Sequence, residues 1–334
     1  MKNMITVESN FEPDQNWNAR LLESGLGTIF QTKERGIFES AKHKIIYLIF
    51  RDENYTIVAQ NIIKVSERFT DKNRKDKLFN KIPTSRKKLY SWVYGPVIFK
   101  KERSKEIFHA FKQFLISEKC AISGWTNILF PGDPQSLSSN YEILSWGTLL
   151  IDLSQSKEIV YQNISKHSGR KNIERSIKRG VIVEEINEKS LLEYSNLINE
   201  MKNNDMNDKS QFENLLRRWK TYKPMGYSGF LARKDEHVIG GLLFSYVNGH
   251  ILEAGVARSK IDKLNHYYSQ DLIKWKIIEW GIEHGQKFYD LAGFNPNPVS
   301  EKEQGILRYK EKWGGIPYYF HRITEKPGLF SKLN

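Results

Sequence analysis

The sequence predicts an α/β or α+β protein with two domains, each a mixed sheet flanked by helices. Strand and helix patterns alternate through the 334 residues, and the second half repeats the order of the first. In the second half, a run of adjoining strands, which favours antiparallel pairing, precedes a strand–helix–strand step, which favours parallel pairing. Apolar residues make up 39% of the chain and aromatic residues 13%, which is enough for each domain to bury its own core.

The first half opens with a predicted loop and two short helices, followed by strands rich in β-branched residues. A strongly amphipathic helix comes next, in which Ile107, Phe108 and Phe111 recur at helical spacing. The turn-rich segment 131–140 then separates the halves, so we place the domain boundary near Trp146. The predicted elements are helices at 16–22, 33–42 and 104–119 and strands at 44–50, 56–62, 89–99 and 123–129.

The second half, from residue 147, has the clearer pattern. Its longest predicted helix, 267–284, ends at Gly285, a residue that readily takes the left-handed conformation of a helix terminator. Helices are also expected after the strand 147–153 and through residue 178. The predicted strands are 147–153, 181–186, 226–233, 238–247, 250–257, 287–291 and 316–323, and the further helices are 189–202, 210–221 and 301–312.

The chain carries a formal net charge of +13. Such a field attracts polyanions, whether nucleic acid, nucleotide-linked sugars or an anionic membrane face. Basic residues concentrate in 165–180 and in 71–88, where the sequence fits a solvated loop or an anion site. The longest compact apolar run, 45–50, is far shorter than the ~20 residues of a membrane span. With no signal-peptide pattern either, we expect a cytoplasmic protein without a transmembrane segment.

Metal and nucleophile chemistry find little support in the sequence. Cys120 is the only cysteine, so neither an intramolecular disulfide nor a cysteine zinc site is expected. The eight histidines are scattered without metal-ligand spacing, and no metal is expected. The G-x-S-x-G, P-loop, G-x-G-x-x-G and H-E-x-x-H motifs do not occur in the sequence. An enzyme with this sequence would work without a catalytic triad.

The segment 288–315 has the features of an active-site edge. A buried strand ends at Asp290, the small pair Ala292-Gly293 lets a ligand or another backbone approach closely, and Asn295 begins a proline-containing loop. Asp290 either caps this loop or faces a substrate. The segment therefore indicates where chemistry is to be expected.

Basic residues follow in the next predicted helix, where Arg308, Lys310 and Lys312 interrupt an apolar pattern that includes Tyr309. An exposed lysine is the ordinary case. A lysine beside an aromatic residue at a pocket rim, however, suits a phosphate or a developing oxyanion.

The basic segment 165–180 also reads as a helix. Ile173 and Ile177 would lie on one face, with basic residues on the other. This stripe either tracks phosphates or is simply solvated. Its basic residues are Lys171, Arg175 and Lys178.

Four segments resemble the Fem aminoacyltransferases, which carry an amino acid from aminoacyl-tRNA to the amine of a peptidoglycan precursor. They are also similar to related GNAT-type acyltransferases of surface-glycan pathways. The segments keep their order along nearly the whole chain, which makes the resemblance stronger than any single motif. They are GTIFQT at 27–32, GTLLIDLSQSKEIVYQNISKHSGRKNIERSIKRGVIVEE at 147–185, VIGGLLF at 238–244, and YDLAGF at 289–294 with GILRYKEKWGG at 305–315.

The resemblance implies two tandem GNAT-like domains, 1–146 and 147–315, with the last strand, within 316–334, returning to complete the first domain. It also implies acyl transfer onto an amine. No tightly bound cofactor is expected, since the acyl donor is itself a substrate.

The resemblance further implies roles for individual residues. In Fem-like enzymes the lysine of an aromatic–lysine pair assists acyl transfer, and Tyr309 and Lys310 match that pair. Asp290 and Gly293 match the family's Tyr-Asp-x-x-Gly strand end and are candidates for the acceptor site.

Three features depart from the Fem pattern. Arg35 and Glu39 stand where many members have a tryptophan and a phosphate-contacting lysine, and a glutamate there would repel a nucleotide diphosphate. Glu253-Ala254-Gly255 stands where tyrosines are common. The long coiled-coil insertion that engages tRNA in some members is not found in the sequence.

An activated ester or thioester needs little more than placement beside a neutral amine. We expect Lys310 to stabilise negative charge on the donor or the tetrahedral intermediate, and Asp290 or Glu253 to orient or deprotonate the acceptor amine. Further substrate contacts are expected at Tyr309, Gly293, Asn295, Arg308, Lys171 and Arg175.

The sequence is compatible with two acyl donors, aminoacyl-tRNA and acyl-CoA. The basic stretches and the Fem-like motif order favour aminoacyl-tRNA, with a peptidoglycan or other cell-envelope precursor as acceptor. Glu39 and the altered strand favour acyl-CoA, with an amino sugar or surface-polysaccharide precursor as acceptor. Against acyl-CoA, the stretch ARSKIDKLN at 257–265 lacks a pyrophosphate loop. A third interpretation is a non-catalytic protein that binds RNA or an anionic membrane through 71–88.

Overall fold

The computed structural model describes residues 5–67, 88–203 and 209–326. The basic stretch 71–88 lies outside the described residues except for Lys88. The chain folds into two compact units. The first unit comprises Met1–Trp146 and Tyr319–Asn334, and the second comprises Gly147–Tyr318.

The first unit is built on a mixed sheet with the strand order β1-β2-β3-β4-β6-β13 and with β5 paired to β3. Strands β4 and β6 are parallel, whereas β1–β2, β2–β3, β3–β4, β3–β5 and β6–β13 are antiparallel. Its elements are β1 (Thr6–Asn10), α1 (Trp17–Glu23), α2 (Lys33–Ser40), β2 (Lys44–Arg51), β3 (Ile57–Glu67), β4 (Lys88–Trp92), β5 (Val97–Ile98), α3 (Ser104–Ser117), β6 (Ala121–Trp125), the start of β7 (Tyr141–Asp152) and most of β13 (Ile316–Glu325).

Helix α3 covers one face of this sheet, because its apolar residues recur every three or four positions. Ile107, Phe108 and Phe111 are fully buried. The ring of Phe111 packs edge-on against Phe50 of β2 and Trp92 of β4, with ring centroids 5.9 and 5.0 Å apart. This aromatic cluster is the centre of the first core.

The second unit has the sheet order β7-β12-β11-β10-β9-β8. Its β8–β9, β9–β10, β10–β11 and β7–β12 pairs are antiparallel, and β11–β12 is parallel. Its further elements are α4 (Lys157–Asn163), α5 (Lys171–Lys178), β8 (Val181–Glu185), α6 (Leu191–Lys202), α7 (Lys209–Tyr222), β9 (Tyr227–Lys234), β10 (His237–Val247), β11 (His250–Arg258), α8 (Lys260–Asn265), α9 (Ser269–Glu283), β12 (Phe288–Phe294) and α10 (Glu301–Glu311).

Helix α9 is the central helix of the second unit. Leu272, Ile273, Ile277 and Ile278 are buried in the core that the sheet forms with this helix. Asp271 and Lys274 are also buried on α9, and charged residues are rarely buried without a partner. The first turns of α9 therefore combine core packing with polar contacts.

The predicted fold class is confirmed, because each unit is a mixed sheet flanked by helices. Several element bounds were wrong. The opening loop contains β1, an edge strand whose sequence TVESN lacks apolar alternation and which forms by pairing with β2. The predicted strand 89–99 ends at Trp92, and Val97–Ile98 pairs with β3 instead. Strand β7 begins at Tyr141, six residues before the predicted start at 147.

Only one of the two isoleucines on the predicted apolar face of α5 is buried. Ile177 is 58% exposed, whereas Ile173 and Ser176 are buried on α5. The two isoleucines share a face of the helix, but burial depends on what packs against each turn, and Ile177 lies in the last turn of α5.

We expect Phe111→Ala to destabilise the first unit by about 3–5 kcal/mol, because the truncation leaves a cavity between Phe50 and Trp92 that the sheet cannot close. Urea denaturation followed by tryptophan fluorescence measures the change. Ile116→Ala on the same helix, at a position 41% exposed, is the matched control and should cost under about 1 kcal/mol. Equal costs for the two variants would contradict this assignment of the core.

Candidate active site

A pocket of about 540 Å³ opens in the second unit where β11 and β12 part. The two parallel strands are paired over only three positions, from His250–Phe288 to Leu252–Asp290. Beyond them β11 continues along β10 and β12 continues along β7. A crevice at the carboxyl ends of parallel strands is a common ligand site. Its walls come from α5, β11, the segment before α9, α9, β12 and α10.

Glu253 points into this pocket from the first residue of β11 beyond the paired segment. The register between β10 and β11 shifts here, so that Ala254 is an extra residue between Glu253 and Gly255. A bulge of this kind re-aims the neighbouring side chain. The Glu253 carboxylate forms an ion pair with Lys274 of α9, and it accepts a 2.7 Å hydrogen bond from the hydroxyl of Tyr289.

A second ion pair lies beside the first. Lys312, just beyond α10, pairs with Asp271 of α9, and Asn172 of α5 donates a 3.2 Å hydrogen bond to the same carboxylate. The ammonium of Lys312 also lies 4.2 Å from the ring centroid of Tyr309. Burial raises the pKa of Asp271 and lowers the pKa of Lys312. The mutual attraction of the pair therefore offsets only part of the loss of water around the two charges.

Lys310 contributes a third cation, which is fastened to the backbone of β12. Its Nζ donates hydrogen bonds of 2.6 Å to the carbonyl oxygens of both Ala292 and Gly293. Ala292 has a left-handed backbone with φ of 64°, and this turn brings the two carbonyls to the same side. Burial lowers the pKa of Lys310 to about 8, against opposing attraction from Glu253 and Asp290. An ammonium has three protons, so the third is left for a ligand in the pocket.

Asp290 lies behind this surface and does not line the pocket. It is fully buried, and its Oδ1 accepts a 2.8 Å hydrogen bond from the backbone N–H of Ala292 and another from the hydroxyl of Thr148. Its Oδ2 lies 3.1 Å from Nε2 of His250. These contacts are those of a residue that fixes a strand end. A direct contact between Asp290 and an acceptor stays a prediction.

The amino end of α9 is closed by the protein's own carboxylate. Oδ1 of Asp262 accepts a 2.9 Å hydrogen bond from the backbone N–H of Ser269, the first residue of α9. Asp262 is fully buried and also pairs with Arg258. The stretch 257–265 therefore supplies an internal anion at a helix terminus that would otherwise attract an external one.

The remaining predicted substrate contacts are placed as follows. Gly293 presents its carbonyl to Lys310, and Tyr309 forms part of the pocket wall. Asn295 donates a 3.0 Å hydrogen bond to Glu303, one of several bonds that lower the pKa of Glu303 to about 2, so it holds the loop before α10. Arg308 is exposed on α10.

The predicted basic residues of α5 differ in their distance from the pocket. Lys171 is exposed and does not line it. Arg175 is exposed at its edge, with its guanidinium 5.9 Å from the ring centroid of the pocket residue Tyr268. The guanidinium of Arg179, just past the helix, lies 5.5 Å from the centroid of the same Tyr268 ring.

In the first unit, Glu39 does not present an unbalanced negative charge. Its carboxylate lies 2.6 Å from the guanidinium of Arg35 and 3.7 Å from the ammonium of Lys64. The expectation that Glu39 repels a nucleotide diphosphate therefore loses its electrostatic basis.

Sequence reasoning missed the members of the site that α9 supplies. Asp271 and Lys274 lie three residues apart, on the face of α9 that also carries Trp275 and Ile278. Charged residues in register with buried apolar ones were the available signal. Within residues 5–67, 88–203 and 209–326, His, Cys, Asp and Glu side chains form no group of three that could hold a metal ion.

Comparison with known proteins places the fold. No protein-family model matches the chain, and no curated protein sequence matches it. Among solved structures, FemX superimposes with a TM-score of 0.68 at 14% identity, over 94% of this chain and 96% of FemX. The fold is that of the Fem-like and GNAT acyltransferases. The predicted resemblance is thus confirmed at the level of fold.

Two further structures share this fold over almost their full lengths. L-PGS from Bacillus licheniformis has a TM-score of 0.56 at 12% identity, with 96% of this chain and 95% of L-PGS covered. A tandem GNAT protein from the clavulanic acid biosynthesis pathway, in a structure without AcCoA, has a TM-score of 0.57 at 9% identity, with 97% and 99% covered. The second of these supports the assignment of two GNAT-like domains to this chain.

We expect the amine of Lys310 to titrate with a pKa of about 8, below its ordinary value of 10.5, because burial disfavours the ammonium form. Competitive acetylation with trace acetic anhydride across a pH series, followed by peptide mass spectrometry, measures this titration. The urea-denatured protein is the control and should return Lys310 to the ordinary range. A folded protein whose Lys310 titrates near 10.5 would contradict the burial of this amine.

Proposed function

We propose that the chain transfers an aminoacyl group from aminoacyl-tRNA to the amine of a cell-envelope precursor, in the pocket of the second unit. The observation that carries the proposal is the position of Lys310. Its ammonium is anchored by two carbonyls and faces a pocket that also contains the carboxylate of Glu253. A fixed cation and a nearby carboxylate are what acyl transfer onto an amine requires when the donor is already activated.

The reaction follows from these groups. The neutral amine nitrogen attacks the ester carbonyl carbon, a C–N bond forms, and negative charge develops on the carbonyl oxygen. The Lys310 ammonium stabilises that charge. The C–O bond to the ribose then breaks, and the ribose oxygen takes up a proton in place of the one that the amine loses. We assign the acceptance of the amine proton to Glu253, because this carboxylate lines the pocket whereas that of Asp290 does not.

The amino end of α9 supports tRNA over CoA as the donor. A CoA thioester brings a pyrophosphate, and open backbone N–H groups at a helix terminus are a common binding site for one. Here the N–H of Ser269 is already bonded to the buried carboxylate of Asp262. That N–H is therefore not available to a pyrophosphate, although the charge of Asp262 itself is balanced by Arg258. The net charge of +13 and the basic rim at Arg175 suit a nucleic acid.

The acceptor is proposed to be an amine-bearing envelope precursor, by the likeness in fold to FemX. The pairing of Glu39 with Arg35 and Lys64 leaves a nucleotide-linked precursor compatible with the first unit. Such a reaction would take place in the cytoplasm, where aminoacyl-tRNA is made, with peripheral contact to an anionic membrane if the precursor is lipid-linked. None of the helices in the described ranges combines the length and apolar character that a membrane crossing requires.

We expect Lys310→Ala to lower kcat/KM for aminoacyl transfer by on the order of a hundredfold, because an anchored charge on the developing oxyanion is removed. Transfer of a radiolabelled amino acid from charged tRNA to an amine-bearing peptidoglycan precursor measures the effect. Lys302→Ala, at an exposed position on the same helix, is the matched control and should retain wild-type turnover. Retention of full turnover by Lys310→Ala would remove this residue from the mechanism.

The donor is tested separately from the mechanism. We expect the purified protein to bind charged tRNA more tightly than uncharged tRNA, with affinity falling steeply as salt rises. Acetyl-CoA and related thioesters should leave the thermal unfolding midpoint unchanged. Stabilisation by thioesters would favour the acyl-CoA alternative, and RNA binding without any transfer would favour a non-catalytic binding protein.

A further inference from the structure

We propose that Asp290 and His250 are positioning residues, which hold the end of β12 in the one conformation that anchors Lys310. The inference rests on the role of Lys310 in the proposed function. It assigns Asp290 a different task from the substrate contact expected from the sequence, and it gives a task to a buried histidine that the sequence did not single out.

The contacts form a continuous chain from the core to the pocket. His250 on β11 lies 3.1 Å from Oδ2 of Asp290, across the parallel strand pair. Oδ1 of Asp290 accepts the N–H of Ala292, two residues further along β12, at 2.8 Å. Ala292 and Gly293 then present their carbonyls to Nζ of Lys310. Each link is one hydrogen bond, so a change at Asp290 reaches the ammonium through the backbone of Ala292.

Among these hydrogen-bonded residues, Ala292 depends most on its neighbours for its backbone conformation. Its φ of 64° lies in the left-handed region, which is unfavourable for a residue with a side chain and persists only when its surroundings hold it. The register between β12 and β7 is interrupted between Asp290 and Gly293, so the sheet itself does not fix Ala292. The Asp290 carboxylate, together with the hydroxyl of Thr148, supplies the missing restraint.

His250 completes the restraint by occupying the other oxygen of Asp290. A carboxylate only accepts hydrogen bonds, so His250 must carry its proton on Nε2 to donate to Oδ2. Its Nδ1 is buried and has no hydrogen-bond partner among the described residues. A hydrogen on Nδ1 would be buried without a partner, whereas a hydrogen on Nε2 finds the Oδ2 acceptor. Asp290 is thus held from both sides and cannot rotate away from Ala292.

Asp290 also acts on Lys310 through its charge. Burial lowers the pKa of Lys310, Glu253 and Asp290 raise it, and Lys274 lowers it further. Removing the Asp290 charge while keeping its shape should therefore lower the pKa of Lys310 below about 8. The titratable groups that line the pocket with Lys310 are Glu253 and Arg258 on β11, Lys263 on α8, His266 and Tyr268 before α9, Asp271 and Lys274 on α9, Tyr309 on α10 and Lys312 beyond it, and Asp290 lies behind them on β12.

The experiment compares Asp290→Asn, Asp290→Ala, His250→Gln and His250→Leu in the full chain. Asp290→Asn keeps an oxygen for the N–H of Ala292, loses the charge and replaces the oxygen that faces His250 by an amide donor. Lys310 should therefore be acetylated by anhydride at lower pH than in wild type. The alkaline fall in transfer activity should move the same way, because Lys310 loses its ammonium form earlier. Asp290→Ala and His250→Leu should lower kcat by on the order of ten- to a hundredfold with KM for the donor changed less than about threefold. His250→Gln keeps a donor and should restore most of kcat.

Asp52→Asn is the matched control. Asp52 is a buried carboxylate of the first unit that accepts hydrogen bonds from Lys100 and from the N–H of Thr56. Its substitution should lower stability without changing the titration of Lys310. The inference is overturned if Asp290→Asn leaves the Lys310 titration where wild type has it, or if Asp290→Ala and His250→Leu lower kcat no more than Asp52→Asn does.

The labelling measurement needs no substrate, so it separates this inference from the proposed function. A Lys310 titration that shifts in His250→Leu, which keeps the charge of Asp290 and removes its hydrogen-bond partner, supports the positioning chain even if no donor is ever transferred. Transfer activity with an unshifted titration supports the proposed function and rejects the positioning chain.

Discussion

The separation of β11 from β12 after three paired residues is the constraint on which the rest of the second unit depends. Parallel strands share their backbone hydrogen bonds as long as they run side by side, and each strand that leaves must find another neighbour. Here β11 continues along β10 and β12 along β7, so each strand keeps one paired edge while the edges that face each other part. The gap then admits side chains from α9 and α10, and these make the pocket.

Burying charged side chains in this gap costs free energy of solvation, and two ion pairs offset part of that cost. Glu253 is matched by Lys274, and Asp271 by Lys312. Replacing such buried pairs by apolar residues of similar size is often neutral or stabilising, so their presence is a stronger argument for chemistry than for stability. Lys310 differs from the other two lysines because its bonds are to neutral carbonyls, and its ammonium is therefore the one most available to an incoming anion.

Two features of the second unit bear on which acyl donor is proposed. They are the amino end of α9, which Asp262 occupies, and Lys310, which two backbone carbonyls anchor. The chain shares its fold with FemX, L-PGS and a tandem GNAT protein, and one fold can carry several chemistries. The choice among them lies in side chains, of which Asp262 and Lys310 are the most informative. Asp262 accepts the N–H of Ser269 at the amino end of α9, and Lys310 lines the pocket, where the proposed reaction develops negative charge.

Sequence by itself determined the fold class, most helices and strands, and the segment around Lys310, because these follow from local periodicity and from motif order. It did not determine β1, which has no apolar alternation and forms only against β2. The tertiary structure alone decided which partners meet: Lys274 with Glu253, 21 residues apart, and Thr148 with Asp290, 142 apart. It also turned Asp290 inward, since a side chain's environment depends on neighbours that sequence periodicity does not encode.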